Sequence, residues 1–246
     1  MSKKSLLVLA MTLSMVAILA IGGTLAYFTD TDAKTNVFTT GNVAIDLQET
    51  FVPGSKLLPG SKTMNNIQKE VYVENTGSED AYVRVHIALP TILDDGDPSF
   101  DAGKNVLHFN NSNMGAGKWN WSTSLEGNDD SGENYIAEGG KWNFYTTTIS
   151  GVSYNVYVVT YETALAKGDK TPAAMDQVYL DAKVTNDDIT RITEALKAVG
   201  GFNIKVVAEG TQKGEFTDAF TALNTSFGVP GSYTIDWNAV DEESNT

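Results

Sequence analysis

Cysteine is absent from all 246 residues. Thiol catalysis, cysteine-ligated zinc, iron–sulfur clusters and disulfide staples are therefore excluded, and stability has to come from packing alone. Histidine occurs twice, as His86 and His108, so the His-Glu-x-x-His helix of zinc proteases is missing. There is no Gly-x-Ser-x-Gly elbow and no phosphate-cradling glycine loop. Basic side chains are scarce as well, with 17 Lys and Arg against 31 Asp and Glu and a formal charge of −14. Such a surface repels phosphate backbones and anionic lipid, so nucleic acid is not an expected partner. The excess of acid also lets multivalent cations tune self-association by screening like charges.

What is present begins with an export signal. Lys3 and Lys4 precede an apolar or small-residue run over residues 6–21, and Gly22, Gly23, Thr24, Leu25 and Ala26 follow it. That is the order of a signal peptide. The run falls short of the ~20 residues that a spanning helix needs, and the glycine pair breaks helix where a peptidase requires extended chain. Residues 1–26 are thus expected to be removed by cleavage between Ala26 and Tyr27, giving a secreted protein.

The residues around this point carry a resemblance. Gly22, Gly23, Thr24, Leu25, Ala26, Tyr27, Phe28, Thr29 and Asp30, followed by Phe38, Thr39, Thr40, Gly41, Asn42 and Val43, are similar to the start of the TasA/camelysin family of Gram-positive bacteria. Farther on, Pro59, Gly60, Ser61, Val71, Val73, Asn75, Gly77 and Ser78, then Ala81, Tyr82, Val83, Arg84 and Val85, resemble the opening of that family's jelly-roll domain. The resemblance implies processing by a SipW-type signal peptidase and assembly into extracellular biofilm-matrix fibres, with an accessory assembly protein as a further candidate partner. It also implies a metallo-endopeptidase activity, the alternative reading that the camelysin name carries.

Beyond the signal, the chain reads as mainly β: a jelly-roll-like two-sheet sandwich of about eight to ten strands, with two helices as insertions or crossovers. With 41% hydrophobic residues, a domain of this size buries roughly 70% of the surface its unfolded chain exposes. Val43, Ile45 and Leu47 alternate with polar neighbours, and two Pro-Gly-Ser turns follow within residues 51–62. Residues 69–74 and 81–89 alternate about the turn-forming residues 75–80, which predicts an antiparallel hairpin. Residues 93–140 read as long loops with short aromatic strands, and strands are expected again at 142–145, 152–161, 178–180 and 202–208. Ile189, Ile192, Leu196 and Val199 share a helical face behind a Thr185–Asp188 cap and before Gly200 and Gly201; Phe216, Ala219, Phe220 and Leu223 share another between Gly214 and Gly228. The expected organisation is a signal peptide (1–26), an N-terminal segment (27–42), one jelly-roll domain (43–240) and an acidic tail (241–246). No Leu-Pro-x-Thr-Gly motif precedes the tail, so covalent wall anchoring is not expected.

The candidate functional segment is the new N-terminus: Tyr27, Phe28, Thr29, Asp30, Thr31, Asp32, Ala33, Lys34, Thr35, Asn36, Val37 and Phe38. Threonine favours extended backbone, and the segment offers little apolar surface, so its bonding capacity lies in its main chain. Such a strand can complete a sheet edge in another copy, and a head-to-tail contact that does not close yields a filament. The other reading is a loose terminus or a strand of its own sheet. The resemblance favours donation to the next subunit.

Site chemistry is otherwise sparse, and neither catalytic residues nor a resident cofactor is expected. Two strand histidines, His86 and His108, could meet across a sheet and bind zinc with a carboxylate, but isolated strand histidines are more often ordinary packing residues. Asp94, Asp95, Asp97, Asp101 and residues 128–133 gather hard oxygen donors of the kind calcium takes, without EF-hand spacing; solvated loop tips are the simpler reading. Trp119, Trp121 and Trp142 are candidates for a sugar-binding face of a non-catalytic adhesin, or else core.

Overall fold

The computed structural model describes residues 43–51, 57–61, 63–93, 106–110, 118–121 and 145–237, all within the compact unit Gly41–Thr246. The expected signal peptide (1–26) and its expected cleavage point, residues 27–38, residues 94–101 and 128–133, Trp142 and residues 241–246 lie outside the described residues. The described residues form ten strands and two α-helices.

The strands make two sheets packed face to face, the two-sheet sandwich expected from the sequence. One sheet has β1 (Ile45–Phe51), β3 (Ile67–Asn75) and β9 (Met175–Asp181) side by side, with β2 (Pro59–Gly60) and β5 (Leu107–Asn110) also paired to β9. The other places β10 (Lys205–Gln212) beside β4 (Ala81–Pro90) and β4 beside the long β8 (Val152–Leu165). Strands β6 (Trp119–Trp121) and β7 (Tyr145–Ile149) pair with successive stretches of β8. Ser150 (φ 49°) and Gly151 (φ 83°) join β7 to β8 as a two-residue turn with both φ values positive.

Alternation decides the core. Val71 and Val73 of β3, Leu107 and Phe109 of β5, and Val178 and Leu180 of β9 face Val83, Val85 and Ile87 of β4 and Tyr157 and Val159 of β8, all in one buried cluster. Strands β1 and β10 close one flank of the sandwich: a Cβ at Gly210 would sit 2.7 Å from the Ile45 side chain, so only glycine lets these strands approach so closely.

Helix α1 (Asn186–Ala195) forms as its sequence predicts. The Thr185 side chain accepts from the Asp188 N–H while the Asp188 carboxylate accepts from the Thr185 N–H, and Gly200 ends the following 3-10 turn at φ 79°. Ile192 and Leu196 enter the core. Helix α2 (Ala219–Phe227) is capped by Asp218 and stopped at Gly228.

The predicted 69–74/81–89 hairpin does not form. Strands β3 and β4 belong to opposite sheets, β3 pairing with β1 and β9 and β4 with β10 and β8. Their alternating apolar faces meet across the core instead of lying side by side. The chain crosses between sheets at Asn75, whose buried side chain donates to the Glu79 and Leu165 carbonyls (2.8 Å each) and accepts from the Gly77 N–H (3.0 Å). Strand boundaries differ from expectation too, with β1 beginning at Ile45 and β10 at Lys205. Removing the Asn75 amide takes its donors away from the Glu79 and Leu165 carbonyls at this crossing, while the Gly77 N–H keeps the Ala44 carbonyl as acceptor. Asn75→Ala is accordingly expected to cost about 2 kcal/mol, read as a lower urea midpoint at unchanged slope.

Candidate functional site

Strand β4 is buried along its whole length, although alternation sends only every second residue into the core. The outward residues are Tyr82, Arg84, His86 and Ala88, and they are covered by residues 213–237, the C-terminal strap that contains α2. At the centre of this face lies a polar network. Arg84 Nε donates to Glu209 Oε2 (2.6 Å) on β10, directly opposite it in the ladder. The rest of the guanidinium turns to the strap: Nη1 donates to Asn224 Oδ1 (2.9 Å), and Nη2 to the Gly228 carbonyl (3.1 Å) and the Tyr233 hydroxyl (2.8 Å). That hydroxyl donates on to Glu209, 2.7 and 2.8 Å from its two oxygens.

His86 completes the network from the same strand. Its Nε2 lies 3.0 Å from Glu209 Oε2, which only a protonated nitrogen can satisfy, and its Nδ1 lies 3.3 Å from the Tyr145 hydroxyl. The neutral ring with the proton on Nε2 fits both contacts. Burial dominates in lowering the His86 pKa below 6.5, and the Arg84 charge adds to this against the raising effect of Glu209. For Glu209 burial acts upward, but hydrogen bonds from His86 and Tyr233 and the charges of His86 and Arg84 outweigh it and hold the carboxyl at about 2. With His86 neutral at pH 7, Arg84 and Tyr233 keep Glu209 ionised there. Burial also pushes the Tyr145 and Tyr233 hydroxyls up.

The two histidines are not brought together. Leu107 and Phe109 point into the core, so His108 faces outward on the sheet opposite to that of His86. There it contacts Asp181 Oδ2 at 2.9 Å and stacks on Tyr179 at 5.2 Å between ring centroids. A zinc site spanning both histidines is therefore corrected by the topology, since the whole sandwich separates two side chains on opposite outer faces. Among the described residues no three His, Asp or Glu side chains converge as metal ligands. Trp119 is corrected as a sugar platform: it is fully buried, its Nε1 donates to the Pro172 carbonyl at 2.7 Å, and it packs on Tyr161.

Residues 2–105 match the family model described as camelysin metallo-endopeptidase. This stretch, under half of the 246 residues, is the part in which the TasA/camelysin resemblance was read. No curated protein matches the chain. The camelysin match takes in most of the segment expected to be a signal peptide, residues 27–38 and the strands through β4, with Arg84 and His86; it stops short of His108 and Glu209. Sequence reading missed Arg84, Glu209, Tyr145, Asn224 and Tyr233 as partners, although Tyr82, Arg84 and His86 at alternate positions of one strand were a visible signal. Among the described residues no helix is long and apolar enough to cross a membrane.

The pH dependence follows from the signs. His86 binds its proton more weakly folded than unfolded, so its stabilising contribution is lost as pH falls below 6.5; Glu209 loses its own as pH falls from 4.5 towards 2. Between pH 7 and pH 5 the wild type should lose more stability than His86→Gln. Parallel urea titrations of the two at both pH values measure the difference.

Proposed function

We propose that this protein is a secreted structural subunit of extracellular fibres, of the biofilm matrix or cell surface of a Gram-positive bacterium, assembled by donation of residues 27–38 to the next copy. The observation that carries the reading is the position of β1. It is the first described strand, it pairs with β3 alone among the described strands, and it lies at the flank of the sandwich. The Ala44 carbonyl just before it accepts from the Thr76 and Gly77 N–H groups, which fixes where the chain enters. The described part of the domain therefore begins at a sheet edge. A threonine-rich segment that precedes it in sequence is suited to pair its main chain with the edge of a neighbour. The camelysin match over most of the expected signal peptide and this segment adds support.

Cleavage between Ala26 and Tyr27, by a peptidase of the SipW type, is the proposed trigger. While the signal holds the terminus at the membrane, the segment cannot enter another copy; once released it can. Self-association in an open head-to-tail series then follows from symmetry, with an accessory protein as a further candidate partner. Protein beginning at Tyr27 should form filaments in electron micrographs, whereas protein lacking residues 27–38 should stay monomeric in sedimentation. Equal polymerisation of both removes the mechanism.

The family description favours a second reading, a metallo-endopeptidase in which His86 is the histidine inside the matched stretch. Its environment argues for a structural role: the ring is fully buried and its contacts are taken by Glu209 and Tyr145. Casein digestion separates the two readings. The fibre-subunit reading expects no cleavage that both a chelator and His86→Ala abolish, and such a loss would install the protease in its place.

A further inference from the structure

The C-terminal strap is attached differently from every strand it touches. Its entry is tied by the backbone, the Lys213 N–H donating to the Asp80 carbonyl at 2.8 Å. From there on the described backbone hydrogen bonds close within the strap itself: Phe216 to Lys213, Ala222 to Asp218, Gly228 to Asn224, Ser232 to Val229 and Trp237 to Ile235. The strap joins neither ladder. It rests on sheet β10-β4-β8 through side chains, with Ala219, Ala222 and Leu223 against Tyr82 at one end and Trp237 against Ala88, Tyr154 and Val156 at the other. Much of the rest faces water, including Phe227 (37% exposed) and Val229 (49%).

Between the two apolar contacts stands Arg84, the side chain of the sandwich that reaches Asn224, Gly228 and Tyr233 together. Its charge partner, Glu209, belongs to the sandwich and not to the strap. Lifting the strap therefore leaves the ion pair intact and merely returns it to water, without stranding a buried charge. Removing Arg84 reverses the balance: the Glu209 carboxylate stays under the strap with its cation gone, and opening is the way to hydrate it. The strap is thus poised as a locally opening unit.

We propose that residues 213–237 open from sheet β10-β4-β8 as one unit while the sandwich stays folded, and that Arg84 is the catch that sets how often they do so. The open form bares two apolar patches on either side of Arg84, one at Tyr82 and one made by Ala88, Tyr154 and Val156. The outward-facing Tyr82 and Arg84, from the segment on which the family resemblance rests, serve in this chain to dock the strap.

Hydrogen exchange on the full chain at pH 7 tests this. In Arg84→Met the amides of α2 should exchange about tenfold faster or more than in wild type, while those of β3 and β9 keep their wild-type rates. An unchanged α2, or an equal rise in all three elements, overturns the proposal. If Arg84→Met does not fold, Asn224→Ala and Tyr233→Phe each delete one strap-side partner and leave the Arg84–Glu209 pair in place. The same asymmetry between α2 and the core strands is required of them, and its absence is equally decisive.

Discussion

Burial of β4 on both faces is the constraint on which the rest of the structure depends. One face supplies Val83, Val85, Ile87 and Leu89 to the core between the sheets. The other carries Tyr82, Arg84 and His86, which need cover and polar partners at the same time. A buried guanidinium is tolerable only if its charge is matched and its N–H groups are used. Glu209 opposite it in the ladder matches the charge, and the strap supplies acceptors for the donors that remain. The chain after β10 is thereby drawn back over the sheet, where α2 and Trp237 cover the apolar positions on either side.

Much of the architecture was legible in the sequence where local chemistry is sufficient. Helix α1 announces both ends, through Thr185 with Asp188 and through Gly200, and its apolar spacing states which side is buried. The β character of β3, β4 and β8 is equally plain from alternation. What alternation does not encode is the sheet to which a strand belongs. Residues 75–80 look like a hairpin turn, and a hairpin and a crossing between sheets both reverse the chain after a strand with one apolar face. Asn75 made the difference, because its amide is satisfied by the Leu165 carbonyl at the end of β8, a contact 90 residues distant that no local pattern contains.

The polar network was hidden for a related reason. On a two-faced strand the residues opposite the core are read as solvent-facing, and Arg84 and His86 fit that expectation until a later segment covers them. Glu209, Tyr145 and Tyr233 come from three other parts of the chain, and each is unremarkable where it stands in the sequence. The sequence placed both histidines on strands, but whether they converge depends on topology, and topology sends them to opposite outer faces. The camelysin match reaches through β4 and so includes one half of the network; the half from β10 and the strap lies beyond it.

Strand β1 has one more consequence. Its ladder with β3 runs antiparallel from Ile45 opposite Asn75 to Phe51 opposite Lys69. A pull along the axis of β1 at its leading end loads every rung of that ladder together, in shear, instead of peeling the rungs apart in turn. A domain held in a chain of its fellows through the residues before β1 would then meet tension with its most resistant bonding geometry, and its grip under load would grow with the number of rungs.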